Sequence, residues 1–134
     1  MNKLSGKIIN IKSDDHMSIV DMEVSGDVFK TIVIETPSSA AFLKIGTLIN
    51  IMFKESEVSL AKDLSGKISL QNKMMCVVNE INKGKLLSSI ILDYKENKIS
   101  SIITTAAVEQ LSLKIKDEVL ALVKTNEIII APDE

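Results

Sequence analysis

Two similar stretches decide the fold: Lys54 to Ala61 reads KESEVSLA, and Lys124 to Ala131, 70 positions later, reads KTNEIIIA. The same offset aligns residues 2–61 with residues 72–131 without a gap, and 11 of these 60 pairs are identical. A gapless register of this length indicates a duplicated module. We therefore predict a first module at 1–62, a second at 72–134, and between them a segment at 63–71 that is either a linker or an exchanged strand.

Bulk composition excludes several classes of protein. The net charge of −2 does not favour a bulk attraction to nucleic acid or to an anionic membrane. The apolar runs are far shorter than a membrane span. A single cysteine, Cys76, permits neither an internal disulfide nor a thiolate zinc cage, so we expect a core thiol and a cytoplasmic location.

Hydrophobic alternation predicts mainly strands. In the first module Val20, Met22 and Val24 alternate with polar residues before a turn at 25–27, and a second alternating run follows at 28–34. The second module repeats this hairpin at 90–103 around a turn at 95–97. Short helical patches are predicted after both hairpins, at 38–43 and at 106–111.

Each module is predicted to close with two more strands joined by a tight turn, 47–53 with 58–61 and 118–123 with 128–131. Five short strands and a helical turn per module are typical of small barrels that bind oligonucleotides or oligosaccharides. The predicted fold is therefore all-β with short helical turns, as two tandem OB-like five-stranded barrels. A copy of Leu4 to Ile8 at Leu64 to Ile68 predicts that the linker adds a strand to a neighbouring module.

Two stretches of the second module carry a recognisable pattern. Residues Ile102 to Lys114 read IITTAAVEQLSLK, and residues Asp117 to Thr125 read DEVLALVKT. This pattern resembles the core of the Mop (molbindin) family. The resemblance covers nearly the whole chain as two copies, like the tandem di-Mop or TOBE-like proteins. In the first module Leu43, Gly46 and Lys54 fit the family pattern.

The resemblance implies reversible binding of molybdate or tungstate for storage, homeostasis or sensing. Such an oxyanion is a dianion ringed by acceptor oxygens, so its site needs hydroxyl and N–H donors and a moderating positive charge. The residues expected to bind it are Ser69, Gln71, Thr104, Lys124, Thr125 and Lys54. Gln71 stands where the family places an arginine, and no metal coordinated by side chains is expected.

Most of these residues also have a purely structural interpretation. Thr104 stands before a helical patch, where a threonine commonly caps the helix. Lys54 and Lys124 end apolar strands, where lysine commonly protects an exposed edge. Their recurrence at matched positions favours the ligand interpretation for Lys124, and less strongly for Lys54.

No enzyme is expected, because the sequence offers no nucleophile–base pair and no glycine-rich phosphate loop. Single-stranded nucleic acid is disfavoured as a partner, since only four aromatic residues are present and the net charge is negative. The alternative is a protein–protein effector module of a molybdate-responsive regulator that lacks its own DNA-binding domain. The resemblance implies a homotrimer before a dimer, with no membrane partner.

Overall fold

The structure, a computed structural model, describes residues 1–133. The first half contains β1 (Asn2–Ser13), β2 (Ser18–Val24), β3 (Asp27–Val33), β4 (Leu48–Phe53), a 3-10 turn (Glu55–Glu57) and β5 (Ser59–Ala61). The second half contains β6 (Asn72–Lys83), β7 (Leu87–Tyr94), β8 (Asn97–Thr104), α1 (Thr105–Gln110), β9 (Glu118–Val123), a second 3-10 turn (Thr125–Glu127) and β10 (Ile129–Pro132). The elements of the two halves thus recur in the same order, with α1 as the one addition.

The strands form two curled five-stranded sheets of matching order, β10-β4-β1-β2-β3 and β5-β9-β6-β7-β8. All pairings are antiparallel. The all-β prediction with two OB-like five-stranded barrels is confirmed.

The two hairpins and the long first strands follow the alternation in the sequence. In the first hairpin Val24 pairs with Asp27, and Ser25 and Gly26 between them have φ of 51° and 92°. Two consecutive positive φ values are typical of the tight turn that matches strand twist. The register shifts after Ile8 in β1 and after Val78 in β6, so both copies carry the same bulge.

One apolar core runs through both halves. Val20, Met22 and Phe29 from the first half are fully buried, as are Ile90 and Tyr94 from the second. The rings of Phe29 and Tyr94 lie 6.3 Å apart between centroids. Each 60-residue half alone would bury little surface, so the shared core is what allows both to be stable.

The halves exchange their last strands. β5 leaves the first half and pairs with β9, while β10 leaves the second half and pairs with β4. The prediction that β4 pairs with β5, and β9 with β10, in tight hairpins is therefore wrong. The reason is that each 3-10 turn packs against the far sheet, on β8 or β3, and directs the chain across.

The strand predicted at residues 64–68 of the linker is absent. Residues 62–71 form no strand, and the exchanged elements are β5 and β10 instead. The module bounds of 1–62, 63–71 and 72–134 stay a prediction, since the exchange leaves each sheet with strands from both halves.

The helical patch predicted at 38–43 is also absent, and turns occupy that segment. The Ser39 hydroxyl accepts a hydrogen bond from the Thr36 amide at 2.9 Å and donates to the Thr36 carbonyl at 3.2 Å. Such local bonds compete with helix formation. In the second half α1 forms as predicted, and the Thr104 hydroxyl accepts the Ala107 amide at 3.0 Å.

Candidate functional site

The edge strand β3 is covered by residues from the second half, in a contact that we call the β3 seam (Lys30 and Thr31 against Asn72 and residues 124–128). The Asn72 side chain accepts from the Lys30 amide at 2.6 Å and donates to the Lys30 carbonyl at 2.9 Å. The Thr31 hydroxyl donates to the Ile128 carbonyl at 2.8 Å. Asn72 thereby supplies the hydrogen bonds that another strand would otherwise make.

An equivalent contact covers the edge strand β8, and we call it the β8 seam (Ser100 and Ser101 against Asn2 and residues 54–58). The Asn2 side chain accepts from the Ser100 amide and donates to the Ser100 carbonyl, both at 2.8 Å. The Ser101 hydroxyl donates to the Val58 carbonyl at 2.7 Å. Every partner lies 70 positions from its counterpart in the β3 seam, so the two seams are related by the duplication.

Sequence reasoning did not assign a role to these seam residues. Asn2 and Asn72 are among the identical pairs of the two halves, and both are buried, at 7% and 0% exposure. A buried asparagine needs partners for both its donor and its acceptor atoms. Identity of a polar residue between diverged halves was the signal that could have identified the seam.

Two of the predicted site residues, Lys124 and Thr125, belong to the β3 seam, and two more, Ser69 and Gln71, lie on the segment that precedes Asn72 of that seam. Lys124 is exposed and begins the second 3-10 turn, where its carbonyl accepts the Glu127 amide at 2.9 Å. The carbonyl of Thr125 lies 3.4 Å from the Thr31 hydroxyl. Because Asn72 pairs with Val123, Gln71 and Lys124 stand one step beyond the end of the β6–β9 ladder. Ser69 and Gln71 are exposed on the irregular segment that enters β6.

Of the other two predicted residues, Lys54 belongs to the β8 seam, whereas Thr104 lies beyond it at the end of β8. Lys54 is exposed and begins the first 3-10 turn, which packs on β8. Thr104 ends β8 and uses its hydroxyl to cap α1. The neighbouring Thr105 hydroxyl is bonded to Gly84 and Ser88. Thr104 therefore ends the strand on which the Lys54 turn packs, and its hydroxyl is already used in the helix cap.

The two seams differ in charge at one matched position. The residue after the lysine is Thr125 in the β3 seam and Glu55 in the β8 seam, and both are partly buried. The Glu55 carboxylate accepts from the α-amino group of Met1 at 2.8 Å. This hydrogen bond lowers the pKa of Glu55, which is therefore ionised near neutral pH.

Apart from the seams, a polar contact ties Lys62, directly before the linker, to the α1 end of the second half. The Lys62 ammonium donates to the carbonyls of Leu111 and Ser112 at 3.2 and 3.0 Å and pairs with the Asp117 carboxylate at 3.0 Å. A cation is stabilising at the C-terminus of a helix. The Lys62 hydrogen bond, together with one from the Lys114 amide, lowers the pKa of Asp117.

The tips of the two hairpins also meet through a polar contact. The Tyr94 hydroxyl donates to the Asp27 carboxylate at 2.5 Å, and the Lys95 ammonium lies 3.2 Å from the same oxygen. The Tyr94 hydrogen bond, with Lys95 second, lowers the pKa of Asp27. Burial raises the pKa of Tyr94, so the phenol stays protonated and acts as a donor.

Within 1–133, no group of three or more histidine, cysteine, aspartate or glutamate side chains is arranged to hold a metal ion. Across the described part of the chain, no helix is long and apolar enough to cross a membrane. Cys76 is buried, and burial raises the pKa of its thiol to about 12.

Comparison with known proteins gives sequence relatives among molybdenum import ATP-binding proteins. The molybdenum import ATP-binding protein ModC of Brucella abortus (strain 2308) is 25% identical over 112 residues, which cover 83% of this chain and 29% of ModC. ModC of Brucella suis biovar 1 (strain 1330) matches to the same extent. The chain thus spans less than a third of the curated relatives that it matches. No protein-family model matches the chain.

Comparison with solved structures covers the whole chain. The cytoplasmic molybdate-binding protein ModG, in a crystal form with molybdate bound, is 26% identical with a TM-score of 0.92, over 98% of this chain and 96% of ModG. A molybdate-binding protein from Sporomusa ovata is 42% identical, covers 44% of this chain and 88% of its own, and has a TM-score of 0.43. With both sheets matched to ModG, this chain belongs to the Mop (molbindin) family as a tandem pair of modules.

Proposed function

We propose that this chain binds molybdate or tungstate reversibly, for storage, homeostasis or sensing of the oxyanion. The observation that carries the proposal is the agreement with ModG over 98% of the chain at a TM-score of 0.92, since that crystal form holds molybdate. The alternative of a protein–protein effector module is not favoured, because ModG is described as a molybdate-binding protein in its own right.

We place the oxyanion at the β3 seam, with Lys124, Thr125, Ser69 and Gln71 as its side-chain donors. Lys124 and Thr125 lie at the second 3-10 turn, which packs on β3, and Ser69 and Gln71 are exposed on the segment that leads into β6. The chain contains lysine but no arginine, so no bidentate guanidinium is available to clamp the anion. Hydroxyl, amide and backbone N–H donors must therefore do most of the binding, with Lys124 supplying positive charge.

We further propose a non-catalytic, cytoplasmic protein that assembles as a homotrimer. Several large apolar side chains are exposed on one chain, among them Leu86 at 77%, Ile34 at 75% and Ile45 at 70%. Exposed apolar area of this kind is typical of a surface that is covered by another copy. Light scattering at micromolar concentration should give the mass of three chains, and a clean monomer would contradict the assembly.

Calorimetric titration tests the binding proposal directly. Purified protein is titrated separately with molybdate, tungstate, sulfate and phosphate at fixed ionic strength. Molybdate and tungstate should bind with similar affinity, because they nearly coincide in charge and size, and sulfate should bind more weakly because it is smaller. Equal binding of all four anions, or no heat with any of them, would overturn the proposal.

A further inference from the structure

The two chain segments that carry the proposed oxyanion donors are both attached to one dipeptide of the first half, Lys30-Thr31 on the edge strand β3. The backbone N–H and C=O of Lys30 both bond to the Asn72 side chain, at 2.6 and 2.9 Å. The Thr31 hydroxyl donates to the carbonyl of Ile128 at 2.8 Å and lies 3.4 Å from that of Thr125. β3 is therefore bonded to the chain beside each donor segment.

The Asn72 attachment holds the segment that leads into β6. Ser69 and Gln71 lie on this segment, outside the sheet ladder, and both are exposed. The ladder begins at Asn72, which pairs with Val123, and the Asn72 side chain adds the two bonds to β3. Asn72 thus fixes the end of the segment from which Gln71 projects.

The Thr31 attachment holds the second 3-10 turn. The turn begins at Thr125, directly after Lys124, and Ile128 follows its last residue. The Thr31 hydroxyl therefore contacts a carbonyl at each end of the turn. Thr31 is 0% exposed, so water does not compete for these carbonyls at its hydroxyl. The backbone of both Lys124 and Thr125 is set by this contact.

The β8 seam makes the same attachments at the matched positions. The Asn2 side chain exchanges two hydrogen bonds of 2.8 Å with the Ser100 backbone. The Ser101 hydroxyl donates to the Val58 carbonyl at 2.7 Å. The two seams therefore offer equivalent mechanical links, one pair on each edge strand.

The donors proposed for the oxyanion are not repeated at the β8 seam. Met1 stands at the position that matches Gln71, and Glu55 at the position that matches Thr125. The α-amino group of Met1 and the Glu55 carboxylate bond to each other at 2.8 Å. The β8 seam is therefore an internal reference that has the links without this set of donors.

We infer that Thr31 and Asn72 are positioning residues for the oxyanion site, through which β3 of the first half holds the donor groups of the second half. Both side chains are 0% exposed, so they act on the anion only through the exposed groups that they hold. Donors that are fixed before the anion arrives need no ordering on binding, which raises affinity. The inference rests on the proposed function and adds residues that do not touch the ligand.

Calorimetry of the full-length chain with molybdate tests Thr31. Thr31→Val removes the hydroxyl and keeps the branched shape, and it should weaken binding by about tenfold, the usual effect of losing one hydrogen bond to a charged group. Thr31→Ser keeps the hydroxyl, as the matched Ser101 does, and should bind like the unsubstituted protein. Ser101→Ala is the control, because it removes the matched hydroxyl from the β8 seam and should leave the affinity unchanged.

The two asparagines form a second matched pair of variants. Asn72→Ala and Asn2→Ala each remove two hydrogen bonds to a backbone and should lower the urea midpoint alike. Only Asn72→Ala should weaken molybdate binding, by about tenfold or more. Circular dichroism and light scattering at the titration temperature establish that each variant is folded and assembled. If either asparagine variant does not fold, the milder Thr31 and Ser101 variants decide.

The outcomes separate this inference from the proposed function. Folded Thr31→Val that binds molybdate as tightly as Ser101→Ala would overturn the inference and leave oxyanion binding intact. Equal weakening by both variants would also overturn it, because affinity would then follow stability and not the position of the donors. An unsubstituted chain that binds neither molybdate nor tungstate would overturn the proposed function, and this inference with it.

Discussion

Replacing Asn72 by alanine should destabilise the protein more than any surface substitution, because one side chain joins the two halves. Asn72 is 0% exposed and makes two hydrogen bonds to the Lys30 peptide, at 2.6 and 2.9 Å. Each such bond contributes about 1 kcal/mol net, and a buried group left without a partner costs about 1–3 kcal/mol. We therefore expect Asn72→Ala to lower the free energy of unfolding by about 2–4 kcal/mol.

Urea unfolding followed by circular dichroism measures this loss, at one protein concentration so that assembly contributes equally. A loss of this size should lower the urea midpoint by roughly 1–2 M. Asn2→Ala should give a loss of similar size, because its two bonds to the Ser100 peptide are both 2.8 Å long. Asn10→Ala, on an exposed position of β1, is the matched control and should stay within about 0.5 kcal/mol.

If Asn72→Ala lowers the free energy of unfolding no more than Asn10→Ala does, the hydrogen bonds of Asn72 do not stabilise the contact between the halves, and this reasoning is refuted. A large loss for Asn72→Ala with none for Asn2→Ala would refute their equivalence.

Three further predictions concern ligand binding, acid stability and thiol reactivity. Lys124→Ala should weaken oxyanion binding in calorimetry by about 1.5–3 kcal/mol, which is the usual contribution of a hydrogen bond to a charged group. Lys54→Ala should weaken binding less. Unchanged affinity of Lys124→Ala would show that Lys124 only protects a strand edge. The pKa of Asp27 is lowered in the folded protein, so its ionised carboxylate stabilises the fold at neutral pH. This contribution is lost as the pH falls through the folded pKa. In urea unfolding, Asp27→Asn should therefore lower the free energy of unfolding by less than about 1 kcal/mol at pH 7, and this difference from the unsubstituted protein should shrink below about pH 4. A difference that does not change with pH would refute this. Cys76, buried with a thiol pKa of about 12, should react with iodoacetamide at pH 8 only after unfolding, and fast reaction of the native protein would contradict its burial.

Local pattern predicted the local structure well. Alternation at Val20, Met22 and Val24 marks β2, and Thr104 before an alanine pair marks the start of α1. The same kind of reasoning placed a helix after Thr36, where Ser39 instead bonds back to the Thr36 peptide. Local preference decides such segments only when no side chain offers the backbone another partner.

Strand partners could not be read in the same way. The sequence from residue 48 to residue 61 shows two apolar runs on either side of a polar turn, which is equally compatible with a hairpin and with a chain that crosses to another sheet. In the structure β10 pairs with the side of β4 that β5 would occupy in a hairpin, and the paired residues are more than 70 positions apart. Non-local pairing of this kind leaves no mark on periodicity.

The candidate site shows the same limit. Lys124 and Thr125 are neighbours in sequence and stay together at the β3 seam, and Gln71 is brought beside them by the β6–β9 ladder. Thr104 lies close to them in the family motif, yet it ends a strand that packs against the other 3-10 turn. Residues that share the family motif, such as Thr104 and Lys124, therefore lie on elements that belong to different seams.

The crossing of β5 and β10 has a consequence for how such a chain can be built from a single module. With the crossing kept, one module on its own would leave β4 without its outer neighbour, and the last strand of a second molecule would fill that position. Such a pair would be a strand-swapped dimer whose population depends on concentration. Joining two modules through residues 62–71 makes the same exchange unimolecular, with an effective concentration on the order of millimolar for a short linker. The tandem chain is thus a covalently closed swapped dimer, and dilution cannot separate its halves.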